Sequence, residues 1–309
     1  MSGTIIESFE ERHRKLWSHH SVRLRHTLAQ HEMFSDDGIA ELIDSLPAER
    51  LAINTMAPDG HRLESWGYCD RAGQKGKVIL ALVKSGRLWI NMTKLDTVDR
   101  RFARLLEQMF DEFQGYMPDF KTFKHSIGLL VSSPKAQVFY HADVPGQALW
   151  QLRGKKRIYI YPADLPFLQP REIENVVRAI TEEEVTYQPW YDEYAEIHDL
   201  EAGDMLHWKL NGPHRVTNLG TVNVSMTTEH WTTDVRRSYA MNYGNGVLRS
   251  LGYEPRSRST DGLAFWGKVA LTAAWRTSGL HGQKSFARKF KYRIDPAREG
   301  GLAQVEAQP

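Results

Sequence analysis

The chain has 309 residues, 41% of them hydrophobic and 25% charged, and a formal net charge of +2, the balance of an ordinary soluble globular protein. So small a net charge gives no global reason to expect nucleic acid or a membrane surface as partner. Cys69 is the only cysteine, which excludes a disulfide scaffold and a cysteine-based zinc site and leaves His, Asp and Glu to hold any metal.

The N-terminal segment has no apolar run of signal-peptide type. The longest apolar runs, at 78–83 and 127–131, are too short to span a bilayer, so a cytoplasmic protein without a membrane partner is expected. Residues 1–20 read as polar and either poorly ordered or weakly helical, with His13, His19 and His20 as surface histidines. Alternation over 22–26 predicts an outer strand. Ser35 precedes Ile39, Ala40, Leu42, Ile43 and Leu46 at helical spacing, an N-capped amphipathic helix closed by Pro47. A short strand is expected at 51–56, a Gly- and Asp-rich loop at 57–76, and another strand at 89–92; 77–83 fits a strand or a buried helix. Asp96 or Thr97 should cap a long helix. Its Phe102, Leu105, Leu106, Met109, Phe110 and Phe113 form one core-facing stripe, with Gly115 at its end.

From Ser126 the texture changes. Short β-rich segments at 127–132, 136–142, 148–152 and 157–161 are separated by Ser133-Pro134, Pro145-Gly146 and Arg153-Gly154. A helical insertion at 171–180 and an acidic, aromatic connection at 181–194 follow. The β pattern resumes at 196–200, 205–210, 215–218 and 222–228 and fades after Asp234. Two groups of short strands separated by an insertion predict a mainly β fold with flanking helices, a double-stranded β-helix of the cupin or jelly-roll type. The expected division is a flanking segment at 1–120, a barrel core at 121–234 and a helical, basic extension at 235–309. Within the last, 242–246 reads as a turn and 263–276 as a helix.

His141 and Asp143 stand at i and i+2 on a strand, so both side chains reach one face. His214 follows the rigid Asn211-Gly212-Pro213 turn, and two imidazoles with one carboxylate form the facial triad that holds non-haem Fe(II) with positions left open. His207, read as a pocket-lining or core residue, competes for the third place, with His198 and His230 as further alternatives. Lys156 lies on the β-run after the Arg153-Gly154 turn, and strand parity lets only one of Lys155 and Lys156 point inward. A buried lysine needs a carboxylate, which a dicarboxylate cosubstrate would supply; a solvated hairpin is the alternative.

The run from His141-Ala-Asp143 through Gln147, Trp150-Gln151, Gly154 and Lys156 to Pro162 resembles the JmjC-domain, cupin-like oxygenases. It is most similar to the factor-inhibiting-HIF asparaginyl-hydroxylase branch. Lys156 falls 15 residues after His141, and His214 ten after Asp204, as in that branch. The resemblance covers roughly 127–231. It implies Fe(II) at His141, Asp143 and His214, with 2-oxoglutarate and O2 as cosubstrates and Lys156 on the distal carboxylate. Gln147 and Thr227 take the places of cosubstrate-binding residues. Val138 stands where the family often has threonine, Gln147 where it often has asparagine, and Thr227 where the closing strand carries asparagine.

The function expected is hydroxylation of a protein side chain or small molecule; the alternative is a metal-binding cupin without 2-oxoglutarate turnover, a sensor or scaffold. Trp150, Trp208 and Tyr140 either line the pocket or pack in the barrel. The connection at 181–195, with Tyr187, Trp190, Tyr191 and Tyr194, is expected to form a substrate-facing lid. Ten Lys or Arg against two acidic residues from Arg249 to Arg293 fit a solvated face or an oligomer contact better than nucleic acid. The 263–276 helix could pair with a second subunit.

Overall fold

The alternation read from residue 126 onward produces strands that pass to and fro between two facing sheets. The computed structural model describes residues 3–58, 62–279 and 289–305. Parts of four expected segments (1–2, 59–61, 284–288 and 306–309) lie outside the described residues. The N-terminal part contributes α1 (Glu11–Leu16), β1 (Val22–Arg25), α2 (Asp36–Ser45), β2 (Leu51–Met56), β3 (Trp66–Asp70), α3 (Gly76–Ser85), β4 (Leu88–Met92) and α4 (Arg100–Tyr116). Then come β5 (Phe123–Ser132), β6 (Gln137–His141), β7 (Gly146–Arg153), β8 (Lys156–Ile160), α5 (Pro170–Val177), β9 (Glu196–Leu200), β10 (Asp204–His207), β11 (His214–Asn218) and β12 (Asn223–Trp231). The chain closes with α6 (Thr233–Ser250), α7 (Gly262–Thr277), β13 (Phe290–Ile294) and β14 (Leu302–Gln304).

The major sheet has the order β1-β10-β7-β12-β5-β4-β2-β3-β13-β14, and the minor sheet β6-β11-β8-β9. β5, β12, β7 and β10 face the four minor strands, and this eight-stranded unit is the expected double-stranded β-helix. The division expected at 120 and 234 cuts through one sheet, because β1 to β4 and β13 to β14 extend it at both edges.

The largest hydrophobic cluster lies outside the barrel, and a smaller one, with Leu149, Ile158, Leu206 and Val216, lies between the two sheets. Trp150, Leu152, Val224 and Met226, one face of β7 and β12, pack with the stripe of α4 and with Ile39 and Ile43 of α2. Ser35 accepts from the Gly38 N–H as the α2 N-cap. Asp99, not Asp96 or Thr97, caps α4, and Gly115 lies within that helix rather than ending it. The segment left open at 77–83 is the helix α3.

Four expectations are corrected. The N-terminal segment is anchored rather than poorly ordered: Ile5 and Ile6 are buried, and their N–H groups donate to the Glu112 carboxylate at 2.7 and 3.0 Å. The loop expected at 57–76 contains β3. The turn expected at 242–246 is the buried middle of α6. Its glycines serve close packing: a Cβ at Gly244 would stand 2.6 Å from the Lys268 Cβ, and one at Gly246 2.5 Å from the Arg178 Cδ. The helical, basic extension returns to the sheet, where β13 pairs in parallel with β3. Two of its arginines are engaged internally, Arg249 and Arg258 converging on the fully buried Glu174.

Candidate metal centre and cavity

β6 and β11 are hydrogen-bonded neighbours in which His214 lies opposite His141. The register shifts between His214 and Val216, an irregularity of the kind that re-aims a side chain. Ahead of β11, Asn211 takes the left-handed conformation with φ 57°, one asparagine tolerates in turns. Its side-chain N–H donates to the Asp143 carbonyl at 2.7 Å, fixing the two ligand-bearing segments together.

His141, Asp143 and His214 each offer one ligand atom, all within 4.8 Å of one another. The His214 Nε2 to Asp143 Oδ2 separation is 3.4 Å, close to the ~3 Å between neighbouring donors at bonding distance from one ion. His141 Nδ1 stands 2.8 Å from the Phe139 carbonyl, and His214 Nδ1 3.1 Å from the Gly212 carbonyl. A carbonyl can only accept, so both Nδ1 atoms carry the proton and both Nε2 lone pairs are free to ligate. Burial, with the nearby His141, holds the His214 pKa well below its usual value, so the ring is neutral. Burial raises the Asp143 carboxyl above the usual carboxylate range, with His141 acting in opposition; a dication would supply the missing positive charge.

The competing histidines are not available. His207 donates from Nδ1 to the Gln147 carbonyl and accepts at Nε2 from the Ser18 N–H, while Trp17 stacks on its ring at 4.1 Å. His230 packs among Phe110 and Phe120. His198 lies on β9, beside Glu196.

The triad opens onto a cavity of about 670 Å³ whose lining includes Val138, Gln147, Thr227 and Trp208. Trp150 and Tyr140 do not line it. Trp150 donates to Thr228 on the outer face of the sheet, and Tyr140 donates to the Phe167 carbonyl in a separate aromatic cluster.

Lys156 points inward, as parity requires, while Lys155 pairs with Glu201 at the surface. Lys156 is 4% exposed, and its ammonium has no hydrogen-bond or ion-pair partner among the described residues. Burial alone pushes its pKa down to about 7. It is not itself part of the cavity lining; Ile158, two residues along the same face, is. Its place on β8, paired with Asn218 of β11, puts it at the end of the barrel away from His214.

The 181–195 connection is only partly the lid that was expected. Residues 183–185 run beside β6: His141 bridges Glu184, the Ala142 N–H donates to the Glu183 carbonyl, and the Val185 N–H donates to the Tyr140 carbonyl. This brings Glu182 and Glu183 to the cavity, where Glu229 also lies. Burial and then Asp143 raise the Glu229 pKa to about 7. The tyrosines turn away. Tyr161 and Tyr187 donate to Asp192 at 2.5 and 2.9 Å, and Asp192 also receives the Arg215 guanidinium. Arg215 adjoins His214 and stacks over Tyr159 at 3.5 Å. Sequence reasoning passed over it because it reads as an ordinary surface cation. Asp192→Ala strips this buried arginine of its carboxylate and should cost about 1–3 kcal/mol in urea unfolding.

No protein-family model matches the chain, and no curated protein matches it. Among solved structures it is similar to E. coli YcfD, with a TM-score of 0.50 and 16% identity over 91% of this chain and 70% of that one. A structure of YcfD, a ribosomal oxygenase from Escherichia coli, in complex with cobalt and 2-oxoglutarate gives a TM-score of 0.48 and 15% identity over 89% and 70%. An RmlC-like cupin from Shewanella frigidimarina matches at a TM-score of 0.23 and 12% identity, over 36% of this chain and 69% of that one. At 16% identity the likeness to YcfD defines a shared fold, a barrel of two facing β-sheets with flanking helices.

Proposed function

We propose that this protein is an Fe(II)- and 2-oxoglutarate-dependent oxygenase that hydroxylates a protein side chain or small molecule. The observation that carries this reading is the triad: His141 and His214 have Nδ1 tied to carbonyls and Nε2 free, beside Asp143 at ligand spacing. That donor set leaves one face of the ion open, as non-haem iron oxygenases require. The bound metal with 2-oxoglutarate and O2 supplies oxidative decarboxylation coupled to C–H hydroxylation. The chain's residues bind and orient. Lys156 presents a buried, unpartnered cation for the distal carboxylate, and Thr227 and Gln147 line the cavity through which the cosubstrate passes. YcfD is a ribosomal oxygenase, which accords with a protein side chain as substrate. Anaerobic titration with Fe(II) and 2-oxoglutarate should give a weak visible charge-transfer band, and aerobic incubation should yield succinate. Absence of both would overturn the reading.

Lys156 lies outside the cavity lining, which favours a second reading, a metal-binding cupin without 2-oxoglutarate turnover that serves as sensor or scaffold. Metal binding with no 2-oxoglutarate binding would select it. Among the described residues no helix is long and apolar enough to cross a membrane. The one thiol, Cys69, is free and buried, and we place the protein in the cytoplasm.

We also infer a homodimer through α7. Leu263 is 93% and Trp266 58% exposed, and Gly267, Ala270, Ala273 and Ala274 share their side of the helix. Lys268, the one charge between Leu263 and Trp275, is buried. An uncharged face raises no repulsion against its own copy, and its small residues let two helices approach closely. Trp266→Glu should convert a dimer to a monomer in sedimentation; a wild-type monomer would exclude this contact.

A further inference from the structure

The inner face of the major sheet mixes polar and apolar side chains around the cavity, and two of its amides have no hydrogen-bond partner among the described residues. Asn54 on β2 is 4% exposed and lines the cavity, as does Asn91 on β4. Neither side chain makes a hydrogen bond with any described residue. Some other polar groups on this face bond one another. Gln151 donates to Asn223 at 2.6 Å and accepts from Ser225 at 2.7 Å, and Asn218 donates to Ser132 at 2.8 Å. A carboxamide that faces a cavity without a protein partner is free to bond a ligand there in place of water.

The surroundings define what these amides face. Asn54 lies opposite Trp89, and Asn91 opposite Ala52, whose small side chain leaves the space above it open. The amides therefore sit diagonally across adjacent strands, a separation of ~7–8 Å that one short ligand segment can bridge. Trp66 meets Trp89 edge-on at 5.2 Å and Phe139 at 5.4 Å, and Phe139 meets His141 at 5.4 Å. An aromatic wall thus leads from the two amides to the metal triad within one cavity.

We propose that Asn54 and Asn91 form an amide-reading subsite, which binds a peptide bond or carboxamide of the substrate against the Trp89–Trp66–Phe139 wall. Each asparagine offers donors and acceptors together, and the complementary group is one that also carries both. A carboxylate would leave the amide acceptors unmatched, and an ester lacks the donor. That the bound group belongs to the substrate rests on the oxygenase reading; amide binding as such does not.

The test uses the full-length, metal-free protein and N-methylacetamide as probe, read by ¹⁵N-resolved NMR of the asparagine side-chain amides. Asn54→Leu and Asn91→Leu assign the two resonance pairs by their disappearance. N-methylacetamide should shift both pairs saturably, and methyl acetate should bind about 5-fold more weakly or worse, the effect of one lost hydrogen bond. Thermal unfolding gives an independent sign. Asn54→Leu should leave Tm of the free protein within ~2 °C of wild type, since the side chain has no partner among the described residues to lose; an amide with a structural role would lower Tm on substitution. No shift with N-methylacetamide, equal shifts with the ester, or a lower Tm for both variants would each overturn the proposal. Loss of the charge-transfer band while the amide shifts remain would instead sink the oxygenase reading and leave this subsite standing.

Discussion

His214→Ala is expected to abolish the Fe(II)–2-oxoglutarate charge-transfer band and lower succinate formation by at least ~10³-fold. That loss exceeds the ~10–100-fold that follows removal of an outer hydrogen-bond partner, because a ligand itself is gone. Metal addition raises the Tm of the wild type by mass action on the folded state, and the substitution should erase that rise. The metal-free variant should fold with little change, since among the described residues the His214 ring makes only one hydrogen bond, to the Gly212 carbonyl two residues back. Retention of the band would mean that another histidine serves. His207 could do so only by giving up both of its ring hydrogen bonds.

Lys156→Met should weaken 2-oxoglutarate binding by ~30-fold or more while leaving metal affinity unchanged. Truncating one partner of a buried charge pair costs about 2–5 kcal/mol. The sign of the accompanying stability change separates a binding lysine from a structural one. In the folded protein burial lowers its pKa to about 7, against ~10.4 in an unfolded chain. Below about pH 7 both states carry the proton, and the folded state bears the full penalty of burying it. Between about pH 7 and ~10.4 only the unfolded chain holds the proton, so the penalty is relieved and stability rises with pH. The variant should therefore be more stable than wild type at pH 6, with the difference shrinking toward pH 10. Cosubstrate affinity in the wild type should fall as pH climbs above 7, because binding must then take up a proton. Isothermal titration in buffers of different ionisation enthalpy reads that uptake directly. Affinity independent of pH, and unaltered in Lys156→Met, would rule out the lysine as carboxylate partner.

The barrel was legible because its strands alternate. Asn223-Val224-Ser225-Met226-Thr227 presents opposite chemistries to two faces, and period-two patterning survives even in short segments. The triad was legible from its His-x-Asp spacing, although β6 ends at His141 and Asp143 lies just beyond the strand rather than on it; the ligand atoms converge all the same. What escaped notice were features whose local signals conflict with their tertiary roles. Gly244 and Gly246 read as turn residues, yet they are the contact points at which α6 meets α7 and Arg178. β13, composed of Phe290-Lys291-Tyr292-Arg293-Ile294, reads as a charged tail until β3 is there to receive it. The 181–195 connection carried the right residues for a lid, but Asp192 draws Tyr187, together with Tyr161, to the outer side of the minor sheet. Asn54 and Asn91 gave no signal, since single asparagines in short strands have no distinguishing spacing.

With its largest apolar cluster on the outside of the major sheet, the protein partly separates two jobs that most domains assign to one interior. Val224 and Met226 hold β12 against the helices; Thr227 and Glu229 on the same strand face the cavity. A change at the first pair is felt by the folding equilibrium, and one at the second by whatever enters the barrel. The inner face can consequently drift to a new ligand without eroding the scaffold. Selection on specificity and selection on stability act on alternate letters of the same strand.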